Sequence, residues 1–268
     1  MNRLDRIGEN GVFTGAALLA DYAYDALSRR TGLARGTGLA STYGYDIASR
    51  LTSLAHDLEG AGTANDQTLG FLYNPASQIR QRSAANDNYN WTAASLDHAY
   101  VRNGLNQYET VGGADIDNDA RGNLIDDNSR AFCYDLENRL IRVAAANNPT
   151  CASPSLTISY DPLGRLRQTA DGATTTDFLY DGDRLVAEYN GGALLRRYVH
   201  GAGVDEPLAW YEGTGTSDRR YLIADTRARS SPPLARAFSA IAMVRTASPM
   251  RGPADASATP ARSCSIQI

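Results

Sequence analysis

Carboxylates at alternate positions are the ligand pattern of a calcium loop, and one run here has it: Asp115-Ile116-Asp117-Asn118-Asp119, followed by Asp126 and Asp127. An EF-hand supplies oxygens at that spacing, with an acidic residue at its twelfth position, here Asp126, and a glycine at the sixth. The sixth position is Ala120 and no helical pattern flanks the run, so these carboxylates are expected to serve structure and no metal is expected. The histidines, His56, His98 and His200, lie far apart, and Cys133, Cys151 and Cys264 have no CxxC spacing, which argues against zinc. An odd cysteine count predicts no disulfide scaffold, although Cys133 and Cys151 could face each other across neighbouring strands. No Gly-x-Ser-x-Gly elbow or matched acid–base pair stands out, so neither an enzyme nor a cofactor is expected. His200, beside Gly201 and Gly203, reads as a loop residue rather than a catalyst.

Tyrosine is the remaining chemistry: 15 Tyr against two Trp and five Phe. Rows of Tyr on strands could stack sugar rings. The favoured alternative is that each ring packs inward and ties its hydroxyl to a neighbouring repeat, because the Tyr is locked to a turn. In Tyr160-Asp161-Pro162-Leu163-Gly164-Arg165-Leu166, Asp, Pro and Gly take the first, second and fourth positions of a type I turn. Alternating residues on either side predict strand, turn, strand. The unit recurs at Tyr180-Asp181, Tyr24-Asp25, Tyr45-Asp46 and Tyr134-Asp135, more loosely at Tyr73-Asn74, and in degenerate form from Asp119 to Leu124 with Gly122 at the fourth place. Well-formed consecutive copies lie 20 to 28 residues apart, the signature of a repeat architecture. No 3.6-residue period is sustained before residue 227, so the fold is expected to be all-β. Tyr89 and Trp91 alternate and predict a further strand.

The repeats, with Asn103-Gly104-Leu105-Asn106-Gln107-Tyr108, Arg197-Tyr198-Val199-His200-Gly201 and Val204-Asp205-Glu206-Pro207, resemble the YD-repeat, or Rhs, family of bacteria. The resemblance runs from about Tyr22 to Asp225. It implies antiparallel hairpins wound as a spiral sheet, in the family a hollow cage around a toxic C-terminal domain. It implies a non-enzymatic wall segment whose partner is that toxin domain. A spiral this short is expected to form an open sheet fragment, and its exposed edges to favour association. Rhs cores end in a self-cleaving Asp-Pro-x-Gly motif, but Asp161 to Gly164 sits inside an ordinary repeat, so that role does not transfer. YD-repeat proteins are also linked with carbohydrate, which leaves a cell-surface carbohydrate-binding or adhesion module as the second reading.

Three segments are expected: a lead-in over 1–21, repeats over 22–227 and a tail over 228–268. The net charge of -4 and pI near 5.4 argue against nucleic acid, and all 26 basic residues are Arg. Hydrophobic content is 43% with mean hydropathy -0.38; no apolar run reaches membrane-spanning length, and the first 15 residues do not form a secretory signal. After Arg227 the Tyr-Asp pattern stops and the tail turns Ala-, Arg-, Ser- and Pro-rich, which predicts disorder. It also reads as out of frame. Taken from the third base of each codon, Arg227 to Pro232 permits Gly-Ser-Val-Val-Ala. Ala240 to Ala247 permits Asn-Arg-Tyr-Gly-Pro-Tyr-Gly. The resembled family continues in that order.

Overall fold

The computed structural model describes residues 3–223 except 59, 61, 90–94, 96 and 205. The disorder expected for 228–268 and the strand expected through Trp91 fall outside the described residues. Tyr89, within them, ends a single 3-10 turn at Asp87–Tyr89 instead of a strand. That correction fits the local Asn86-Asp87-Asn88 run, whose side chains compete for backbone: Asn86 Oδ1 accepts the Asn88 amide.

Apart from two such turns, all regular structure among the described residues is antiparallel strand, in three open sheets. The first sheet runs β1 (Arg6–Gly8), β2 (Leu18–Tyr24), β3 (Arg30–Ala34), β4 (Ala40–Tyr45), β5 (Leu51–Asp57), β6 (Gln67–Tyr73) and β7 (Ile79–Ala84), each paired with the next. Strands thus begin inside the 1–21 segment. A small sheet holds β8 (Tyr100–Arg102), β9 (Tyr108–Val111) and β10 (Ala114–Asp115). The last sheet begins with β11 (Asp117–Asn118), β12 (Leu124–Asp126), β13 (Arg130–Tyr134), β14 (Leu140–Ala145), β15 (Leu156–Tyr160) and β16 (Leu166–Asp171). It ends with β17 (Thr174–Asp181), β18 (Arg184–Asn190), β19 (Ala193–His200), β20 (Pro207–Glu212) and β21 (Arg219–Tyr221).

Alternation decides which side chains are covered. In β6, Gln67, Leu69 and Phe71 are buried, while Thr68 and Leu72 face out. Register places Leu54 of β5 opposite Leu69, and with Phe71 they form one apolar cluster. A second layer of burial joins the two ends of the chain. Leu208 of β20 packs with Ala20, Tyr22 and Leu33, and Leu39 packs with Ala209 and Tyr221. Ion pairs flank this seam, Arg30 with Glu206 and Arg219 with Glu9, and the Tyr211 hydroxyl also donates to Glu9. Among the described residues no strand pairing joins the first and last sheets, and the sheets stay open.

The expectation against disulfides is corrected at the one pair the sequence left open. Cys133 of β13 and Cys151, in the loop before β15, form a disulfide across a sequence separation of 18. Counting an odd number of thiols misses it, because the loop folds back on itself to bring Cys151 under β13. A cross-link closing a loop of that length contributes about 3 kcal/mol against the reduced unfolded chain.

Two substitutions separate covered from uncovered apolar side chains. Leu208→Ala is expected to cost roughly 2–5 kcal/mol in urea unfolding, since Leu208 is 2% exposed. Leu72→Ala is expected to change stability by less than about 0.5 kcal/mol, since Leu72 is 58% exposed.

Candidate functional site along the turn edge

Each repeat turn is five residues closed by one side chain. Asp46 Oδ1 accepts the amides of Ala48 and Arg50, both at 2.9 Å, and Oδ2 accepts Arg50 Nε at 2.7 Å. The Ser49 amide donates to the Asp46 carbonyl at 3.0 Å and the Asp46 amide to the Arg50 carbonyl at 3.0 Å. That geometry needs a left-handed fourth residue, and Ser49 has φ 63°. The same position is Ser28, Ser77, Asn106, Gly122, Asn138 and Gly164 elsewhere, all at positive φ. Asp25 with Arg29, Asp135 with Arg139, and Asp161 with Arg165 repeat the Asp46 contacts, each with a 2.7 Å Nε bond.

The fifth-position arginine then reaches out of its own turn. Arg29 lies over the Tyr45 ring at 4.7 Å and Arg50 over Tyr73 at 4.8 Å; Arg139 over Tyr160 and Arg165 over Tyr180 follow at 4.9 Å. Arg29 Nη1 also donates to Ser49 Oγ at 3.1 Å, and Arg165 Nη1 to the Gly182 carbonyl. Arg3, before the first repeat, covers Tyr24 at 4.8 Å and donates to Ser28 Oγ. The covered tyrosines answer backwards. Tyr24 donates its hydroxyl to the Leu4 carbonyl, Tyr45 to Arg30, Tyr73 to Leu51 and Tyr160 to Leu140, at 2.8–3.0 Å. His200 stands in the same place: its Nε2 lies 2.7 Å from the Leu185 carbonyl, so Nε2 carries the proton. His200 is therefore a strand residue of β19, not the loop residue expected.

Where the charge pair is missing, a neutral pair replaces it. Asn74 Nδ2 donates to Gln78 Oε1 at 2.8 Å, and Asn103 Nδ2 to Gln107 Oε1 at 2.9 Å. In the degenerate copy Asn123 donates to Asp119 Oδ2 at 2.9 Å and onward to Asn138 Oδ1 at 3.1 Å. The repeat at Asn103 has no preceding Tyr, so a search for Tyr-Asp passes over it; asparagine at the first and fourth places is the signal. Tyr180-Asp181 departs the other way. Asp181 pairs directly opposite Arg184 across a two-residue turn with Gly182 at φ 57°, so this copy is not the five-residue unit.

The run with calcium-like spacing is split between β10 and β11, in different sheets, and the carboxylates of Asp119, Asp126 and Asp127 are engaged by the chain itself. Asp119 Oδ1 accepts the amides of Arg121 and Asn123. Asp126 accepts those of Asn128 and Asn147, and Asp127 accepts Ser129 and Arg130. Among the described residues no group of three or more His, Cys, Asp or Glu is placed to hold a metal.

These contacts also set the electrostatics. The backbone amides of Arg50 and Arg139 lead in holding the Asp46 and Asp135 carboxyls below the usual carboxylate range, helped by the guanidinium bonds. For Asp25 and Asp161, partial burial pushes upward and is outweighed by the amide and guanidinium of Arg29 and Arg165. Burial pushes the Tyr134, Tyr160 and Tyr180 hydroxyls up. The edge thus presents carboxylates with both oxygens bonded and rings with one face covered.

No family model matches the chain, and no curated protein matches it. Among solved structures, the crystal structure of TcdB2-TccC3 without its hypervariable C-terminal region is similar over 78% of this chain and 14% of that chain, at 11% identity and a TM-score of 0.44. The crystal structure of TcdB2-TccC3-Cdc42 is similar over 77% of this chain and 12% of that chain, at 13% identity and a TM-score of 0.28.

Two outcomes test the turn edge. Tyr160→Phe is expected to lose about 1 kcal/mol by leaving the Leu140 carbonyl without its donor, read from urea unfolding. Because the folded carboxyls are depressed, their stabilisation is complete above the unfolded value near 3.8 and is lost as pH falls through the lower folded values. The melting temperature is therefore expected to fall steeply only in acid below that point. Asp46→Asn with Arg50→Gln, which copies the neutral pair, is expected to fold and to shallow that acid slope.

Proposed function

We propose that the chain is a non-enzymatic wall segment of a toxin-enclosing shell of the Rhs type. The observation that carries this reading is the consumption of the turn edge by its own repeats: carboxylates, guanidiniums and tyrosine hydroxyls are spent on holding one hairpin to the next. A wall needs that property, because it separates cargo from its surroundings by enclosure and not by a specific site. Each added hairpin covers the strand edge left by the last, so such a wall extends by nearest-neighbour contacts. The partner is then a toxin domain carried by the same parent polypeptide, with no nucleic acid and no cofactor. The alternative, a carbohydrate-binding surface module, is disfavoured by the arginines lying over the repeat tyrosines.

Sequencing the locus tests the proposal. A longer frame is expected, in which these repeats precede a toxic C-terminal domain and a separate immunity gene follows; the frame past codon 227 should restore the two family motifs. A free-standing gene behind a secretion signal, together with glycan-array binding by the purified chain, would overturn it in favour of adhesion. Incubated alone, the purified chain is expected to keep its intact mass. A single internal cut abolished by one Asp substitution would contradict the non-enzymatic reading.

A further inference from the structure

We propose that the Cys133–Cys151 disulfide is a redox-sensitive latch on one joint between repeats, opened by a dithiol. The joint is β14 against β15, where the hairpin β13–β14 meets the hairpin β15–β16. It is one of the short joints of its sheet by backbone pairing, longer only than β12 against β13, which has a single pair. Only Arg142↔Thr157 and Val143↔Leu156 are in register across it, whereas each flanking hairpin has five such pairs. The equivalent joint between β5 and β6 has four, as does β16 against β17.

The two ends of this short joint are closed by different chemistry. At the turn end Arg139 covers Tyr160, and Tyr160 donates to the Leu140 carbonyl. At the loop end the strands stop pairing and the disulfide takes over, tying Cys151 under Cys133 of β13. The loop it holds is not relaxed chain: Asn147, Cys151 and Ser153 all sit at positive φ, a region side chains other than Gly and Asn rarely adopt. Its remaining anchors are few. The Asn147 amide donates to Asp126 Oδ2, Ser155 donates its amide and hydroxyl to the Val143 carbonyl and accepts the Gly172 amide, Cys151 packs on Ala131 and Ala144, and Asn148 bonds only within the loop. Cleaving the cross-link leaves the loop end to these contacts alone, while the turn end keeps its full set.

The chemistry is ordinary thiol–disulfide exchange. Cys133 is half-buried and Cys151 is 1% exposed, so the accessible sulfur is that of Cys133. A reductant thiolate attacks it, the S–S bond breaks, and Cys151 leaves as a thiolate that takes a proton. The second thiol of the reductant then displaces Cys133, which is protonated in turn. Two electrons pass to the protein and the dithiol ends as its own disulfide. The latch does not depend on the shell reading, since its test reads the joint and not the cargo.

Hydrogen–deuterium exchange on the intact chain, oxidised and then reduced with dithiothreitol after folding, decides it. Amides in 141–147 and 151–158 are expected to lose protection by about tenfold or more on reduction, while 135–139 and 160–165 keep theirs. A Cys133→Ser, Cys151→Ser double variant is expected to show the reduced pattern without reductant; should it fail to fold, the prefolded wild type still gives the answer. Unchanged protection on reduction overturns the latch. Loss spread over all of 117–223 also overturns it, because the bond would then be a staple for the whole sheet. Free Cys133 and Cys151 thiols in the intact mass of air-exposed protein would end the proposal at its first step.

Discussion

One side chain at the first position of each turn holds the architecture together. Asp25, Asp46, Asp135 and Asp161 each accept two backbone amides and one guanidinium, and so close a five-residue turn that is otherwise held by two backbone bonds. A lone two-stranded hairpin is marginal in water. What makes it persist is that the arginine fixed by the carboxylate has its far side free for the next repeat. With Nε pinned to Asp46, the Arg50 guanidinium can lie over the Tyr73 ring, and Tyr73 can return its hydroxyl to the Leu51 carbonyl. Local closure and neighbour contact are therefore one interaction. Each pair is exposed enough that its Coulomb term is screened. The gain lies in ordering a long side chain once and using it three times.

The same constraint explains which parts of the fold were legible. Turn position four must adopt positive φ, so Ser, Asn and Gly there mark the turns, and the alternating strands follow. The all-β class and the strand–turn–strand units could be read from that pattern; the open sheet was an expectation that came with the family resemblance. The arginine contacts could not. A five-residue window shows Asp and Arg side by side but not that the next tyrosine stands a strand-pair away. The neutral pairs Asn74–Gln78 and Asn103–Gln107 were hidden for a related reason: they preserve the donor and acceptor roles while discarding the letters. His200 keeps the role of a repeat tyrosine with a different ring.

The opposite edge of the sheets has no such grammar, and there the sequence pattern fails. Gly112–Gly113, Gly172 and Gly191–Gly192 make tight turns, the other connections are longer loops, and no sequence unit is common to all of them. Nothing periodic constrains where a loop must fold, so the approach of Cys151 to Cys133 depends on the path of a single irregular segment. Sequence spacing carries no information about that path. The carboxylates from Asp115 to Asp127 mislead for the converse reason. Calcium spacing and turn closure ask for acceptors at similar intervals, and only topology reveals that β10 and β11 lie in separate sheets.

The seam between the ends of the chain follows other rules. Within each sheet the contacts are local, whereas Arg30 reaches Glu206 and Arg219 reaches Glu9 across almost the whole sequence. It is also unusually polar for a buried surface. Arg35 is 5% exposed, its Nε and Nη1 lack hydrogen-bond partners, and burial pushes its pKa down. The Tyr22 hydroxyl is likewise buried without a partner, and burial, with Glu206 nearby, pushes its pKa up. Buried ionic groups of this kind cost desolvation that apolar packing would avoid, so they are weak sources of stability. What they restrict is placement. Leu208 could slide along the apolar surface of Ala20, Tyr22 and Leu33, but Glu206 meets Arg30 in one register only. The long-range share of the loop-closure entropy falls on this seam, since every strand pairing among the described residues joins neighbours. The repeats can therefore assemble by short-range steps, and the charged seam fixes how the completed ends meet.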